Sequence, residues 1–492
     1  MHPIIPGFAP DPSVCRIGEF FYLVTSSFHL FPGIPIYESI DLVNWKHIGN
    51  AINRPSQLSL REASTKISPI DEGKLIATGG LFAPTIRHNK TTGVTYILCT
   101  NVRHGTVNDS TRNFILSTTD IHAGHWSDPV YYAFNGIDPS LFIEENGKAY
   151  IQGTHAPECH IHNFQVDLET LQPLCDPQAP SACIFTGWNK KDTEGPHIYK
   201  KDGWYFLLVS EGGTFANHMV TITRSRDLHG PYEVYEGNPI FTASPNDYIQ
   251  HTGHADLFQD AHGKWYMVYL GVRKRGNRFI LGRESFLTPV SWEGEWPVIR
   301  QQEGLRTTLS AVKNVDWVYL RDAELERYSL QEDQVSITAS SVYLDSPDQT
   351  VSFMGKRQRE LNGTSTVALD TVSDKKDHLR AGLAVYKDEH RFVALAHDFA
   401  LHEVTLEITN QVTSLSVKKS MPVSPCTELF LRIRYTEEEY EFAFKEDRQW
   451  TVMHTLDTAD MCGLDFVGPV IGMFAWGEGD VLFKGFTVDS IL

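Results

Sequence analysis

The chain has 492 residues, with 43 Lys and Arg against 61 Asp and Glu for a formal charge of −18, and 41% of its residues are hydrophobic. That acidity argues against nucleic acid as a partner, because a phosphate backbone is held by clustered cationic surface and the basic run Arg273, Lys274, Arg275 is short and isolated. No stretch approaches the roughly 18 apolar residues that span a bilayer, and Met1 to Thr25 lacks a basic segment followed by an apolar one, so a folded, water-soluble chain without a membrane partner is expected.

Along the chain, one phrase returns five times: a turn followed by alternating aromatic and β-branched residues. It reads GEFFYLVTS from Gly18, TGVTYILCT from Thr92, NGKAYIQGT from Asn146, DGWYFLLVS from Asp202 and HGKWYMVYL from His262. Its tyrosines, Tyr22, Tyr96, Tyr150, Tyr205 and Tyr266, stand 54 to 74 residues apart, room for four short strands each. A second phrase precedes each tyrosine by 11 or 12 residues: Asp11 in PDPS, Pro84 in FAPTI, Asp138 in IDPSL, Glu194 in EGPHI and His254 in GHADL. This pattern predicts a five-bladed β-propeller over 1–300, in which the first strand of each blade lines a central channel and equivalent positions converge at one mouth.

After WEGEWPVI near Trp292 the character changes. A linker over 301–322 leads into strands such as STVALDTV, AGLAVYKDE, HEVTLEIT and LFLRIRYT, whose polar and apolar residues alternate between charged hairpin turns. Such strands predict antiparallel sheets wet on one side, hence a β-sandwich over 323–492. The seven cysteines show no CxxC spacing and predict neither a zinc site nor a disulfide framework. Asn-X-Ser/Thr triplets at Asn89, Asn108 and Asn362 leave both a secreted and a cytoplasmic location open.

Asp11, Asp138 and Glu194 are each followed, immediately or after one residue, by proline, in short and otherwise apolar phrases. Singly, an Asp-Pro pair is an ordinary turn opener. At the same place in three repeats, the acids read instead as carboxylates around one cavity, which suits glycoside hydrolysis: one acid protonates the leaving oxygen and one carboxylate activates water or attacks carbon. His254, a core histidine if taken alone, shares the axial position. No Ser-His-Asp signature, phosphate-cradling glycine loop or HExxH supports ester, nucleotide or zinc-protease chemistry.

The phrases PGFAPDPS, FHLFPG, LFAPTIRH, IDPSLF, TEGPHIY, EGGT, GHADL and LGRESFL, in that order, resemble glycoside hydrolase family 43, specifically its two-domain β-xylosidase and α-L-arabinofuranosidase members. The resemblance implies an all-β chain, a five-bladed propeller followed by a concanavalin-like sandwich, and hydrolysis with inversion. It implies Asp11 as general base, Glu194 as general acid and Asp138 as the acid that tunes and orients Glu194. Phe28 and Phe82 become walls of a single-sugar pocket, although core packing is the usual fate of such residues. Arg283 becomes a donor to sugar hydroxyls, or else a surface ion pair. Thr214 sits beside the sugar, His254 beneath it, and Phe466 comes from the sandwich to the pocket mouth. Phe82 departs from the tryptophan of many relatives. No cofactor is required, and the resemblance admits a structural calcium beside His254. The expected substrate is arabinoxylan or its oligosaccharides, cleaved to terminal α-L-arabinofuranose, with β-D-xylosidase action as the alternative. The Asn-Asp-Pro-Asn phrase of invertase-like fructosidases is absent, and a sugar-binding lectin is disfavoured because the carboxylates differ by repeat and share one position.

Overall fold

The aromatic phrases form strands because their alternating large side chains fill both faces of pleated sheets. In the computed structural model, which describes residues 2–71, 73–105, 109–299, 306–371 and 378–490, each is the second strand of an antiparallel sheet. Asn108 and linker residues 301–305 lie outside the described residues. Five such sheets of four or five strands follow one another, with first strands Ser13–Ile17, Gly80–His88, Gly136–Ile143, Glu194–Lys201 and Ile249–Gln259. Each first strand packs beside the next and the fifth packs beside the first, closing a ring. The described chain is all β, its only helical turns being three short 3₁₀ segments, and none of its helices is long and apolar enough to cross a membrane.

The ring is clasped by the N-terminus. Ile4 and Ile5 donate backbone hydrogen bonds to Ser285 O, and Ala9 donates to Arg283 O at 3.0 Å, so the first and fifth sheets meet where Asp11 and Arg283 enter the structure. The described part of the segment read as a linker is itself structured. Thr308–Ala311 adds a parallel edge strand to Asn44–Ile52, and Tyr319–Leu320 pairs with Leu30–Phe31.

Beyond it lie two facing sheets, of seven strands and of six. The expectation of sheets wet on one side holds for Glu403–Asn410 and Glu428–Tyr435, where buried and half-buried residues alternate strictly. It fails for Arg380–Asp388 and Arg391–Asp398, which are buried nearly throughout. The reason is that one face of the six-stranded sheet meets the second sheet, through Leu383, Val385, Val393 and Leu395. The other meets the ring of sheets, where Ala384, Tyr386, Phe392 and Phe474 share a cluster with Phe8, Phe28 and Leu30. Their connecting turn, read from sequence as a charged hairpin in water, is buried between the two halves of the chain: Lys387, Asp388, Glu389 and Arg391 are each at most 2% exposed.

All seven cysteines are free. The Asn89 side chain is buried and accepts from the backbone N–H groups of Thr91 and Thr92, capping its own turn.

Candidate active site

At one mouth of the ring, each inner strand is entered or broken by a residue in the left-handed backbone region: Asp11 (φ 54°), Ala83 (42°), Asp138 (55°), Gly195 (59°) and His254 (44°). In the last four the strand register also shifts there, between Phe82 and Thr85, Ile137 and Ser140, Glu194 and His197, and Gly253 and Asp256. Such bulges re-aim side chains, here out of the ladder and into the channel. The sequence equivalence is thereby corrected in two repeats. The special residue is Ala83 rather than Pro84, because a proline ring fixes φ near −65°. It is Gly195 rather than Glu194, so Glu194 stands one position earlier than Asp11 and Asp138 relative to the left-handed residue of its strand.

The nine side chains singled out in the sequence all border one cavity of about 100 Å³: Asp11, Asp138, Glu194, Phe28, Phe82, Thr214, His254, Arg283 and Phe466. Drug-sized sites run to roughly 300 Å³ and more, so this one admits a single ring-sized ligand. Ala83, Ile137, Leu270 and His218 complete its lining. Of these, His218 is the polar group that the sequence reading missed. It stands four residues beyond Thr214 of the EGGT phrase, a nearness that alone does not mark it as part of the site.

Asp11 is held by Ser26, whose Oγ donates to Asp11 Oδ2 at 2.5 Å and accepts from Ala83 N at 2.6 Å. Asp138 Oδ2 accepts from Gly195 N at 3.1 Å, which ties this carboxylate to the backbone of Glu194's neighbour. A Cβ on Gly195 would come within 3.1 Å of His254 Nδ1, in a left-handed conformation besides, so glycine suits the position on both counts. His254 Nδ1 lies 4.0 Å from Asp11 Oδ1 and 4.0 Å from Asp138 Oδ2, bridging the two acids.

Burial, and then the charge of Asp138, push the Glu194 carboxyl well above its ordinary value, while Arg283 opposes them. Burial likewise raises Asp138, with His254 pulling it down and Asp11 pushing it up. The cavity therefore favours a protonated carboxyl at Glu194.

Arg283 is 4% exposed and donates through Nη2 to Thr214 O and Oγ1, at 3.1 and 2.5 Å. The expectation of a surface ion pair thus fails, because the guanidinium is buried in the cavity wall, 4.6 Å from the centre of the Phe466 ring. Phe28 lies 4.7 Å from Phe82 and 5.8 Å from Phe466, and Phe82 lies 5.9 Å from Phe466 (ring centres), so the three form one aromatic wall. Phe28 also packs on Phe8, so it serves core and cavity together. Phe466 arrives from the second half of the chain: the preceding pair Leu464–Asp465 makes a parallel ladder with Gly73–Thr78 of the first.

Beneath this layer lies an ionic cluster. Asp256, two residues beyond His254, is fully buried; its carboxylate binds the Arg87 guanidinium at 2.8 and 2.9 Å, Ser13 Oγ at 2.6 Å and the Tyr199 hydroxyl at 2.7 Å. Burial alone would raise the Asp256 carboxyl, but Arg87, followed by His197, holds it well below the usual range. Arg87 also donates to His197 Nδ1 at 3.0 Å. Among the described residues no group of three or more His, Cys, Asp or Glu side chains is arranged to hold a metal ion. The Asp256 carboxylate below His254 is thus already paired with an internal cation, the Arg87 guanidinium.

Residues 1–297 match the sequence model described as glycosyl hydrolases family 43, and residues 310–488 match that described as the beta xylosidase C-terminal concanavalin A-like domain. A non-reducing end alpha-L-arabinofuranosidase, BoGH43B of Bacteroides ovatus, is 31% identical over 97% of this chain and 91% of its own length. A xylosidase/arabinosidase of Butyrivibrio fibrisolvens is 41% identical over 62% of this chain and 57% of its own. Among solved structures, a xylan beta-1,4-xylosidase from Bacillus halodurans superimposes with a TM-score of 0.85 at 26% identity, covering 98% of this chain and 99% of that one.

Proposed function

The chain belongs to glycosyl hydrolase family 43, and from that premise we propose that it is an inverting, exo-acting hydrolase that releases terminal α-L-arabinofuranose from arabinoxylan or its oligosaccharides. The observation that carries this reading is the meeting of Asp11, Asp138 and Glu194 in a cavity with room for one sugar ring. A site with room for a single ring receives a chain end rather than a polymer threading through. The five sheets around it are read as blades of a propeller, 1–300, and the two facing sheets as a separate sandwich domain over 323–492.

In the reaction, Glu194 gives its proton to the glycosidic oxygen as the bond from that oxygen to the anomeric carbon breaks. Asp11 takes a proton from water as the water oxygen bonds to the same carbon from the opposite face. Asp138 acts through Glu194: its charge favours the protonated form, and its bond to Gly195 N fixes the start of the strand that carries the acid. Arg283, Thr214 and His254 supply hydrogen-bonding groups for the sugar hydroxyls, and Phe28, Phe82 and Phe466 the apolar wall. Elimination of bulk water strengthens each of these interactions.

A second reading, β-D-xylosidase action at the same site, is favoured by the aromatic wall, which contacts ring faces without distinguishing hydroxyl patterns, and by relatives whose names carry both activities. Side-by-side cleavage of p-nitrophenyl α-L-arabinofuranoside and p-nitrophenyl β-D-xyloside, followed by sugar release from wheat arabinoxylan, separates the two. Proton NMR of the first-formed product anomer tests inversion. Failure to release any pentose from all three substrates, with binding retained, would leave a lectin.

A further inference from the structure

His218 is 1% exposed and lies against the backbone of Gly253, where any Cβ would approach its ring within 2.3 Å. Its Nδ1 stands 3.2 Å from His251 O. A carbonyl oxygen only accepts, so Nδ1 carries the hydrogen and Nε2 is left as a bare lone pair. That Nε2 is buried, has no hydrogen-bond partner in the protein, and stands 3.9 Å from Glu194 Oε1. A buried acceptor aimed at a carboxyl without a donor between them is costly unless the carboxyl itself supplies the hydrogen.

Building on the reading of Glu194 as proton donor, we infer that His218 is a positioning residue for that donor: its Nε2 accepts the Glu194 carboxyl hydrogen in the free enzyme and denies the ionised carboxylate a partner. The separation of 3.9 Å closes to hydrogen-bond length with a small rotation of the Glu194 side chain, as catalytic contacts in free enzymes commonly do. When a sugar enters, the glycosidic oxygen takes over as acceptor and the proton leaves along the new bond. The ionised Glu194 that remains then faces a lone pair, which favours its reprotonation before the next turnover.

The opposite arrangement, a protonated His218 paired with an anionic Glu194, would deprive the site of its acid. Burial first, and then the Arg283 guanidinium, hold His218 well below its ordinary value; His254 and His251 act in the same direction, and the hydrogen bond to His251 O opposes them. On the other side, Asp138, Asp192 and Asp11 push Glu194 toward its neutral form against Arg283. Both partners are thereby biased toward their neutral forms, in which only Glu194 has a hydrogen to give toward the other.

The test is the pH profile of kcat/KM for wild type, His218→Asn and His218→Gln on two arabinofuranosides, one with an aliphatic alcohol as leaving group and one with 2,4-dinitrophenol. Loss of the acceptor at the Nε2 position in His218→Asn, whose shorter amide reaches only the Nδ1 position, is expected to move the basic limb of the aliphatic profile down by about one pH unit, about a tenfold loss on that limb. The dinitrophenyl profile, which needs no proton donor, keeps its basic limb. His218→Gln, whose amide oxygen can accept, restores part of the limb, which a merely space-filling role does not predict. As a measurement on the wild-type protein alone, the infrared band of a protonated carboxylic acid, assigned by its loss in Glu194→Gln, persists above neutral pH. An unmoved basic limb in correctly folded variants, or a carboxyl band lost below pH 6, overturns the inference. If Glu194→Gln itself hydrolyses the aliphatic substrate as well as wild type does, the reading of Glu194 fails instead, independently of His218.

Discussion

The turn at Lys387–Arg391 sets the sharpest stability prediction. Arg391 donates through Nε and Nη2 to Asp388 Oδ2, at 2.9 and 2.5 Å, and through Nη1 to Asp465; Lys387 Nζ donates to Asp465 Oδ2 at 2.6 Å and to Met461 O at 3.2 Å. All four side chains are at most 1% exposed, and their charges sum to zero. Arg391→Met removes one cation and leaves two buried carboxylates facing one lysine. Breaking a buried ionic pair by deleting one partner costs about 3–5 kcal/mol. At roughly 2–4 °C per kcal/mol for a domain of this size, the expected fall in Tm is about 6–20 °C by differential scanning calorimetry. Since Asp465 immediately precedes Phe466, KM should rise while kcat changes less. The double variant Asp388→Asn/Arg391→Met removes a cation and an anion together, leaves Lys387 and Asp465 matched, and should recover most of the lost stability. A single variant whose Tm stays within 2 °C of wild type, or a double variant less stable than the single one, would show that charge balance is not what this cluster supplies.

Phe466→Ala removes the ring that lies 4.6 Å from the Arg283 guanidinium and closes the aromatic wall. A cation–π contact of this kind is worth about 1–2 kcal/mol when desolvated, so steady-state kinetics should show a loss in kcat/KM of about 5- to 30-fold, mostly in KM, with a smaller change in Tm than Arg391→Met gives. Glu194→Gln should be more thermostable than wild type, and the margin should grow with pH. The folded-state value of Glu194 is raised, so its contribution is intact below the ordinary value of 4.5 and is lost as pH rises toward the folded value, at about 1.4 kcal/mol per unit of separation. Melting curves from pH 4 to 8 check the sign, and a margin that shrinks with pH refutes it. Treatment with EDTA should leave kcat/KM unchanged, since the buried Asp256 carboxylate is neutralised by Arg87; restoration of a lost rate by added calcium would contradict this.

The acids were legible because their chemistry and their repeat coincide: three carboxyls in apolar phrases, each at a fixed distance from a strand tyrosine, have few places to go but one shared mouth. Phe28, Phe82, Thr214, Arg283 and Phe466 came from the family likeness, since nothing in their local pattern distinguishes a cavity wall from a core. His218 was passed over because a single histidine near a strand start has no periodicity to betray it; its meaning lies in a carbonyl 33 residues away, His251 O. The phrase AVYKDEHR was misjudged for a physical reason. Charges at a hairpin tip normally mean water, and only tertiary packing against the hairpin Thr65–Thr78 turns them inward, where Glu389 Oε1 accepts from Thr65 N and His390 Nε2 meets Thr65 O.

The left-handed residues at the mouth connect the fold to the chemistry. A non-glycine residue in this region costs roughly 1–3 kcal/mol, and four of the five positions, Asp11, Ala83, Asp138 and His254, are not glycine. Each is held against a relaxed alternative by its neighbours. Asp11 and Ala83 share the Ser26 hydroxyl, Asp138 binds Gly195 N, and His254 N donates to Ser210 Oγ at 2.7 Å. The Ser26–Asp11 bond lies within the flanks of the first sheet, but the bonds of Ala83, Asp138 and His254 each cross from one sheet to the next. The placing of the acids relative to one another is therefore a property of the closed ring, clasped at Ala9 and Arg283, and local opening between the third and fourth sheets would part Asp138 from the strand that carries Glu194 before the sheets themselves unfold.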